Sequence, residues 1–183
     1  MKKSMKLALT GTILVLVLSA TAQQQNQQQN QQQNQPQQRP QNQQATAKLE
    51  AILNKAQIPF TKTPDGTYVA VISVAENESE RFHIDLGYLG NDPNDARYQL
   101  VQMYFLLAQV GKGASFPPAL LKQVTQWNSE LTVGKIIVYP NVIVYNSTAW
   151  LERTDAEYLA LDATLGHYSS QDLRKEIAPY LKQ

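Results

Sequence analysis

Two residues of the sequence, His83 and Asp85, have the types and the spacing that acid–base chemistry requires. They are separated by one residue, and alternate residues of a β-strand point to the same face of a sheet. A histidine and a carboxylate so placed could exchange protons with a substrate or bind a metal ion. Catalysis would also need a nucleophile or further ligands nearby, and the second histidine of the chain, His167, is far away in the sequence. We therefore expect the pair to lie on the solvated face of a strand without a catalytic role.

The segment from Asn91 to Asp95 is rich in side-chain oxygen atoms, the ligands that calcium prefers. An EF-hand calcium loop that began at Asp92 would need glycine at its sixth position and glutamate at its twelfth. The chain has Arg97 and Met103 there instead. An aspartate followed by a proline is also a typical helix start. We therefore expect this segment to begin a helix and not to bind a metal ion.

Composition excludes several further classes of site. The chain contains no cysteine, so it has no disulfide, no thiolate metal site and no lipid-modified cysteine. Neither the G-x-S-x-G elbow of serine hydrolases nor a glycine-rich phosphate-binding loop occurs. The net charge is +1, without the basic cluster that nucleic-acid binding requires. We therefore predict no catalytic residues, no cofactor, no metal and no nucleic-acid partner.

Residues 1–22 contain the three parts of a cleavable secretory signal peptide. Lysines precede an apolar run from Leu7 to Leu18, and the small residues Ala20 and Ala22 suit the peptidase. The apolar run is shorter than the ~20 residues that a membrane-spanning helix needs. We expect cleavage after Ala22, which would leave the protein secreted or periplasmic and without stable insertion in a membrane.

Residues 23–46 form a low-complexity tract that begins with three repeats of QQQN. Such a tract has too few apolar side chains to form a core, so we expect a disordered linker. Glutamine and asparagine amides can also stack into ladders between chains. A surface or matrix component that acts through this tract is therefore an alternative, although Pro36 and Pro40 interrupt it.

The folded domain is predicted to span residues 47–183. It opens with a helix from Ala47 to Ala56. A short strand around Phe60, a Thr-Pro-Asp-Gly-Thr turn and a strand from Tyr68 to Val74 follow. In a third strand, apolar residues at positions 82, 84 and 86 alternate with polar ones. These strands predict an antiparallel meander.

A long helix is predicted after the meander, from Asp92 to about Gly111. Its apolar stripe consists of Leu100, Val101, Tyr104, Leu107 and Ala108. A second helix carries an apolar stripe made of Leu120, Val124, Trp127 and Leu131. A hairpin is then predicted from strands Val133–Tyr139 and Val142–Ser147, which join at Pro140-Asn141.

Two more helices are predicted at the C-terminal end. Thr154 and Glu157 have the spacing of a capping box that opens the first of them, and Gly166 is expected to end it. Ser169 or Ser170 caps the last helix, whose apolar stripe is Leu173, Ile177 and Leu181. The order of elements predicts an α+β fold, with an antiparallel sheet of about five strands, a three-stranded meander plus a hairpin, flanked by helices.

The stretch from Leu120 to Ser147, LLKQVTQWNSELTVGKIIVYPNVIVYNS, resembles the centre of the YbjN family. In that family a helix that ends in an aromatic–asparagine pair leads to a two-stranded hairpin, and Trp127 and Asn128 occupy that pair here. The family more often turns its hairpin at an acidic–glycine pair, where this chain has Pro140-Asn141. The resemblance implies the fold of type III secretion chaperones and a role in protein–protein interaction or chaperone-like binding.

Aromatic side chains are the remaining candidates for a site, because they are enriched at protein interfaces. Tyr139 and Tyr145 lie near the hairpin and form the predicted interaction surface, whereas Trp127 lies on the apolar stripe of its helix and is expected in the core. The sequence thus predicts an exported interaction or chaperone-like module whose partner is another protein or a second copy in a dimer. An exported enzyme of another type, such as a hydrolase, is the alternative.

Overall fold

The protein is described from a computed structural model that covers residues 43–76, 78–89 and 99–182. The predicted signal peptide, most of the low-complexity tract and the segment from Asn91 to Asp95 lie outside these residues. The described elements are α1 (Gln43–Lys55), β1 (Phe60–Lys62), β2 (Tyr68–Ala75), β3 (Glu78–Tyr88), β4 (Gln99–Gln109), α2 (Pro118–Glu130), β5 (Lys135–Val138), β6 (Val142–Trp150) and α3 (Ala156–Leu181). A short 3-10 turn, Leu151–Arg153, precedes α3.

The first helix corrects the predicted domain boundary. α1 extends back to Gln43, and Ala45 is buried in the core. The boundary between tract and domain was therefore predicted too late, because the last residues assigned to the linker belong to this helix.

The six strands form one antiparallel sheet in the order β1-β2-β3-β4-β6-β5. The predicted meander corresponds to β1, β2 and β3, and the predicted hairpin to β5 and β6. The α+β class and the antiparallel sheet are confirmed. The described sheet has six strands instead of about five, because β4 lies between the meander and the hairpin.

β4 contradicts the prediction of a long helix from Asp92 to Gly111. Residues 99–109 form a strand that pairs with β3 on one side and with β6 on the other. Most residues of this segment are apolar, so its sequence fits the helical period and the two-residue period of a strand equally well. Burial on alternate residues, complete at Val101, Met103 and Phe105, is the pattern of a central strand.

The helices cover one face of the sheet, and the hydrophobic core lies between the two layers. α3 contacts β4, β6 and β2, while α1 and α2 each contact α3. Among the strand residues that point towards the helices, Phe82, Ile84 and Phe105 are fully buried. The rings of Phe82 and Phe105 stack with 5.0 Å between their centroids. The alternation predicted for β3 is confirmed, since His83 between the two buried residues is exposed.

The turn between β1 and β2 also forms as predicted. The backbone N–H of Thr63 donates to the carbonyl oxygen of Thr67 over 2.8 Å, and the N–H of Gly66 donates to the carbonyl oxygen of Thr63 over 2.9 Å. Gly66 has a φ of 90°, a backbone conformation that side chains other than glycine rarely adopt. The turn therefore depends on glycine at this position.

The Trp127-Asn128 pair joins α2 to the rest of the domain. The Asn128 side-chain amide donates to the carbonyl oxygen of Ile136 over 2.8 Å and accepts from the N–H of Ile136 over 2.6 Å, so it pairs with β5 much as a neighbouring strand would. Trp127 is half-buried and meets the ring of Tyr180 edge-on, with 6.4 Å between centroids. The helical stripe predicted that Trp127 would lie in the core. The tryptophan instead packs at the margin of the core.

α3 corrects the prediction of two C-terminal helices. It is one helix from Ala156 to Leu181 and passes through Gly166, Ser169 and Ser170 without a break. Gly166 is buried, and a β-carbon at this position would overlap the ring of Phe105 in β4. The glycine is present because helix and strand approach closely here, and not because the helix ends.

Gly166→Ala tests this close contact. Helix propensity alone would favour alanine by up to ~1 kcal/mol, but the added methyl group would force α3 away from Phe105. We expect a net loss of ~1–3 kcal/mol in the free energy of unfolding, measured by urea unfolding followed by circular dichroism. Gly111→Ala is the matched control, because no atom lies within 4 Å of a β-carbon there. A Gly166→Ala protein as stable as the parent would contradict the contact.

Candidate interaction surface

The start of α3 is fixed by Asp155. Its carboxylate accepts a hydrogen bond from the backbone N–H of Tyr158 over 2.8 Å, which satisfies one of the free donors of the first helical turn. The predicted cap, Thr154, instead donates through its hydroxyl to the carbonyl oxygen of Trp150 over 2.8 Å. The capping box was thus predicted one residue too early, although the helix it marks is confirmed.

One side of α3 packs on the sheet, and the other side exposes apolar residues. The exposed residues are Tyr158 (49% exposed), Leu161 (58%), Leu165 (48%) and Tyr168 (49%). Their spacing of three, four and three residues places them in one line along the helix. We call these four residues the α3 stripe. Exposed apolar residues that stand singly are ordinary on protein surfaces, whereas these four form a row and are therefore the candidate surface.

A buried polar pair lies on the packed side of the same helix. The hydroxyl of Ser147 in β6 lies 2.8 Å from each carboxylate oxygen of Asp162 and donates to them. Both residues are buried. Burial raises the pKa of Asp162, while the hydrogen bond from Ser147 lowers it in part. The pair connects α3 to β6, although the removal of the Asp162 carboxyl group from water is itself unfavourable.

A second polar cluster, one turn further along, connects α3 to β3. His167 is 1% exposed, and its two ring nitrogens lie 3.2 Å from a carboxylate oxygen of Glu80 and 3.1 Å from one of Glu78. Gln171 also donates to Glu78. The rings of His167 and its sequence neighbour Tyr168, the last residue of the α3 stripe, contact each other in a T-shaped arrangement with 5.1 Å between centroids.

Arg174 completes the cluster with a two-pronged ion pair to Glu80. Its guanidinium donates to the two carboxylate oxygens over 2.9 and 2.6 Å, and its Nε donates to the carbonyl oxygen of Leu106 over 2.8 Å. Burial is the largest influence on the pKa of Glu80 and would raise it. The hydrogen bonds and charges of Arg174 and then His167 outweigh it, so the pKa is lowered. The glutamate is held ionised between β3 and α3.

These polar groups hold α3 on the sheet. His167 is enclosed by its own helix and by β3. Ser147 has an acid beside it, but its hydroxyl donates to that acid and is itself buried. Within the described residues no three histidine, aspartate or glutamate side chains are grouped so as to hold a metal ion.

The predicted acid–base pair lies elsewhere. His83 and Asp85 share one face of β3, as expected, and His83 is exposed. The cross-strand neighbours of His83 are Val69 and Tyr104. That face is opposite to the one that carries Glu80, so the structure does not bring this pair to the His167 cluster.

A separate pocket of about 490 Å³ lies between the end of α1 and the start of α3 and is lined by Lys55, Ala56, Asp155, Ala156, Glu157 and Ala160.

The two tyrosines of the predicted interaction surface have different environments. Tyr139 is 45% exposed at the end of β5, so its role in an interface stays a prediction. Tyr145 is 2% exposed, and its hydroxyl donates to the carbonyl oxygen of Val133 over 3.0 Å. The prediction that Tyr145 lies on the surface is wrong, because β6 is a central strand and this side chain points to the helices. Gly134, with a φ of 70°, lies directly against its ring.

The α3 stripe was missed in the sequence because the helix was expected to stop at Gly166. A break there places Tyr158 and Leu161 on a different helix from Tyr168, and the row is no longer visible. The signal itself is present in the printed sequence as apolar residues at positions 158, 161, 165 and 168.

Comparison of the chain with protein-family models, with curated proteins and with solved structures found no match. The resemblance to the YbjN family therefore stays a prediction that rests on the residues of the α2–β5–β6 segment. Among the described residues, no helix has both the length and the apolar character needed to cross a lipid bilayer.

Asp162→Asn tests the buried acid beneath the α3 stripe. Because the pKa of Asp162 is raised in the folded state, folding is penalised at pH values where the acid is ionised in both states. Asparagine removes that penalty, so the variant should unfold at higher urea concentration than the parent at pH 7. Below the ordinary aspartate pKa of 3.8 both states of the parent are protonated, and the advantage should disappear. Urea unfolding of both proteins from pH 3 to pH 8 measures this. A constant difference across that range would contradict the assignment.

Proposed function

We propose that this protein is an exported protein–protein interaction module that binds its partner through the outer side of α3. The observation that carries the proposal is the α3 stripe, four large apolar side chains that are each about half exposed on one line of a long helix. Covering apolar surface is the main favourable term in protein association, so such a row is a ready contact surface.

The underlying structure supports this role, because it makes α3 a rigid platform. The contact of Gly166 with Phe105, the Ser147–Asp162 hydrogen bonds and the Arg174–Glu80 ion pair hold the inner side of the helix at three levels. A partner would therefore meet a surface that is already in its bound shape, which lowers the entropic cost of association.

The composition of the stripe also suits an interface. Tyrosine is enriched at protein interfaces, because it offers a large contact area with few rotatable bonds. The hydroxyls of Tyr158 and Tyr168 can remain in water at the rim while the two leucines are covered. The predicted signal peptide and the resemblance to the YbjN family both agree with an exported module of this kind, including a chaperone-like one.

Photo-cross-linking in the producing cell tests the proposal. A photoreactive phenylalanine analogue at Leu161 should form covalent adducts at least about tenfold more abundant than the same analogue at Leu121, which is 39% exposed on α2. Gel mobility and mass spectrometry of the purified protein measure the adducts. Equal labelling at the two positions, or none at either, would refute α3 as the binding surface.

A further inference from the structure

The α3 stripe reads the same in both directions along the helix. Tyrosine, leucine, leucine and tyrosine stand at positions 158, 161, 165 and 168. The two leucines are equally far from position 163, and so are the two tyrosines. A surface with this symmetry is complementary to itself when a second copy is rotated by 180° about an axis through position 163, and such self-matching contacts are the basis of two-fold dimers.

We propose that the partner of the α3 stripe is a second copy of this chain, which packs its own α3 antiparallel to the first. This inference rests on the proposed use of the stripe as a binding surface and adds the identity of the partner. In the antiparallel pair, Leu161 of each copy packs beside Leu165 of the other. Each Tyr158 likewise packs beside the other copy's Tyr168.

The packing between helices supports this arrangement. Residues spaced alternately by three and four positions form the seam of a two-helix coiled coil, in which each side chain inserts between residues of the facing helix. The stripe supplies four such layers, with leucine in the two inner layers and tyrosine in the two outer ones. Between the outer layers the half-buried residues beside the stripe are small, Ala160 and Thr164, so the two helices can approach closely.

The charges beyond the stripe favour the antiparallel direction. The line continues past Tyr168 to Asp172 and Lys175, which are exposed and paired with each other over 2.9 Å. Two parallel helices in register would place Asp172 against Asp172 and Lys175 against Lys175, and like charges so placed repel. In the antiparallel pair, rotation about position 163 instead moves the Asp172 and Lys175 of the two copies to opposite ends of the interface, where these like charges are far apart.

The area available sets the expected strength of the dimer. Four large side chains that are half exposed offer roughly 400 Å² per copy, whereas a stable interface of standard size buries ~800 Å² per partner. The stripe alone therefore supports a dimer that dissociates on dilution. Contacts of the flanking residues would add to it.

Sedimentation equilibrium of the exported protein tests dimer formation. Across total chain concentrations from about 1 to about 500 μM, the mean mass should rise from that of one chain towards that of two. Leu161→Lys combined with Leu165→Lys should keep the mass of one chain throughout, while its unfolding stays unchanged because both side chains are exposed. Leu121→Lys on α2 is the matched control and should dimerise like the parent.

Disulfide trapping tests the direction of the pair, since the chain has no cysteine of its own. A mixture of Tyr158→Cys and Tyr168→Cys chains should form the mixed disulfide under mild oxidation. Tyr158→Cys alone should form less than a tenth as much, because ten residues of helix separate the two thiols by ~15 Å, beyond the reach of a disulfide. Efficient trapping of Tyr158→Cys alone would overturn the antiparallel arrangement.

The outcomes distinguish this inference from the proposed function. A single-chain mass at every concentration, together with Leu161 photo-adducts that contain a different protein, overturns the second copy as partner and leaves α3 as a binding surface. A dimer that persists in the Leu161→Lys, Leu165→Lys protein overturns the inference as well, because it places the dimer contact elsewhere. A single-chain mass without any Leu161 adduct refutes both.

Discussion

The close approach of Gly166 to the ring of Phe105 determines how α3 lies on the sheet. Because no side chain intervenes, the helix axis comes near to β4, the central strand that pairs with both β3 and β6. This proximity places Asp162 within reach of Ser147 and His167 within reach of β3. The same orientation directs the opposite side of α3 to the solvent, so the apolar stripe is a consequence of the packing beneath it.

We expect the polar groups under α3 to fix the orientation of the helix more than to add to the stability of the fold. Burying an acid or an ion pair costs solvation energy, which the partner groups offset only when geometry is good. The two-pronged contact between Arg174 and Glu80 has that geometry, and together with His167 it lowers the pKa of Glu80 although burial acts to raise it. If α3 were rotated about its own axis, the charges of Arg174 and Glu80 would be buried without their partners. The network thus fixes which side of the helix faces outwards, and the proposed interaction module requires such a defined outer surface.

Local signals in the sequence were sufficient for some elements and not for others. The proline–glycine turn at residues 63–67, the alternation in β3 and the hairpin after Trp127-Asn128 are determined by near neighbours, and each is present. β4 and α3 were mistaken because their deciding contacts are distant in sequence. The apolar sequence of β4 is compatible with a helix or a strand until the strands that pair with it are known. A glycine such as Gly166 can end a helix or allow close packing, and the residue that it faces, here Phe105, decides between the two. The α3 stripe was missed because Gly166 was interpreted as a helix end. Tyr145 was predicted to be exposed because the residues that cover it are distant in sequence.

Residues 156–181 form one unbroken helix on β4, and a single distance measures its continuity directly. Nitroxide labels on cysteines introduced at Glu157 and Lys175, both exposed, report the separation of the two positions by pulsed electron resonance, with unlabelled chain added in excess to suppress contacts between copies. An uninterrupted helix of eighteen steps predicts about 27 Å between the two backbone sites. A helix that stops at Gly166 and turns back would bring the labels well below 20 Å, and that result would contradict the account.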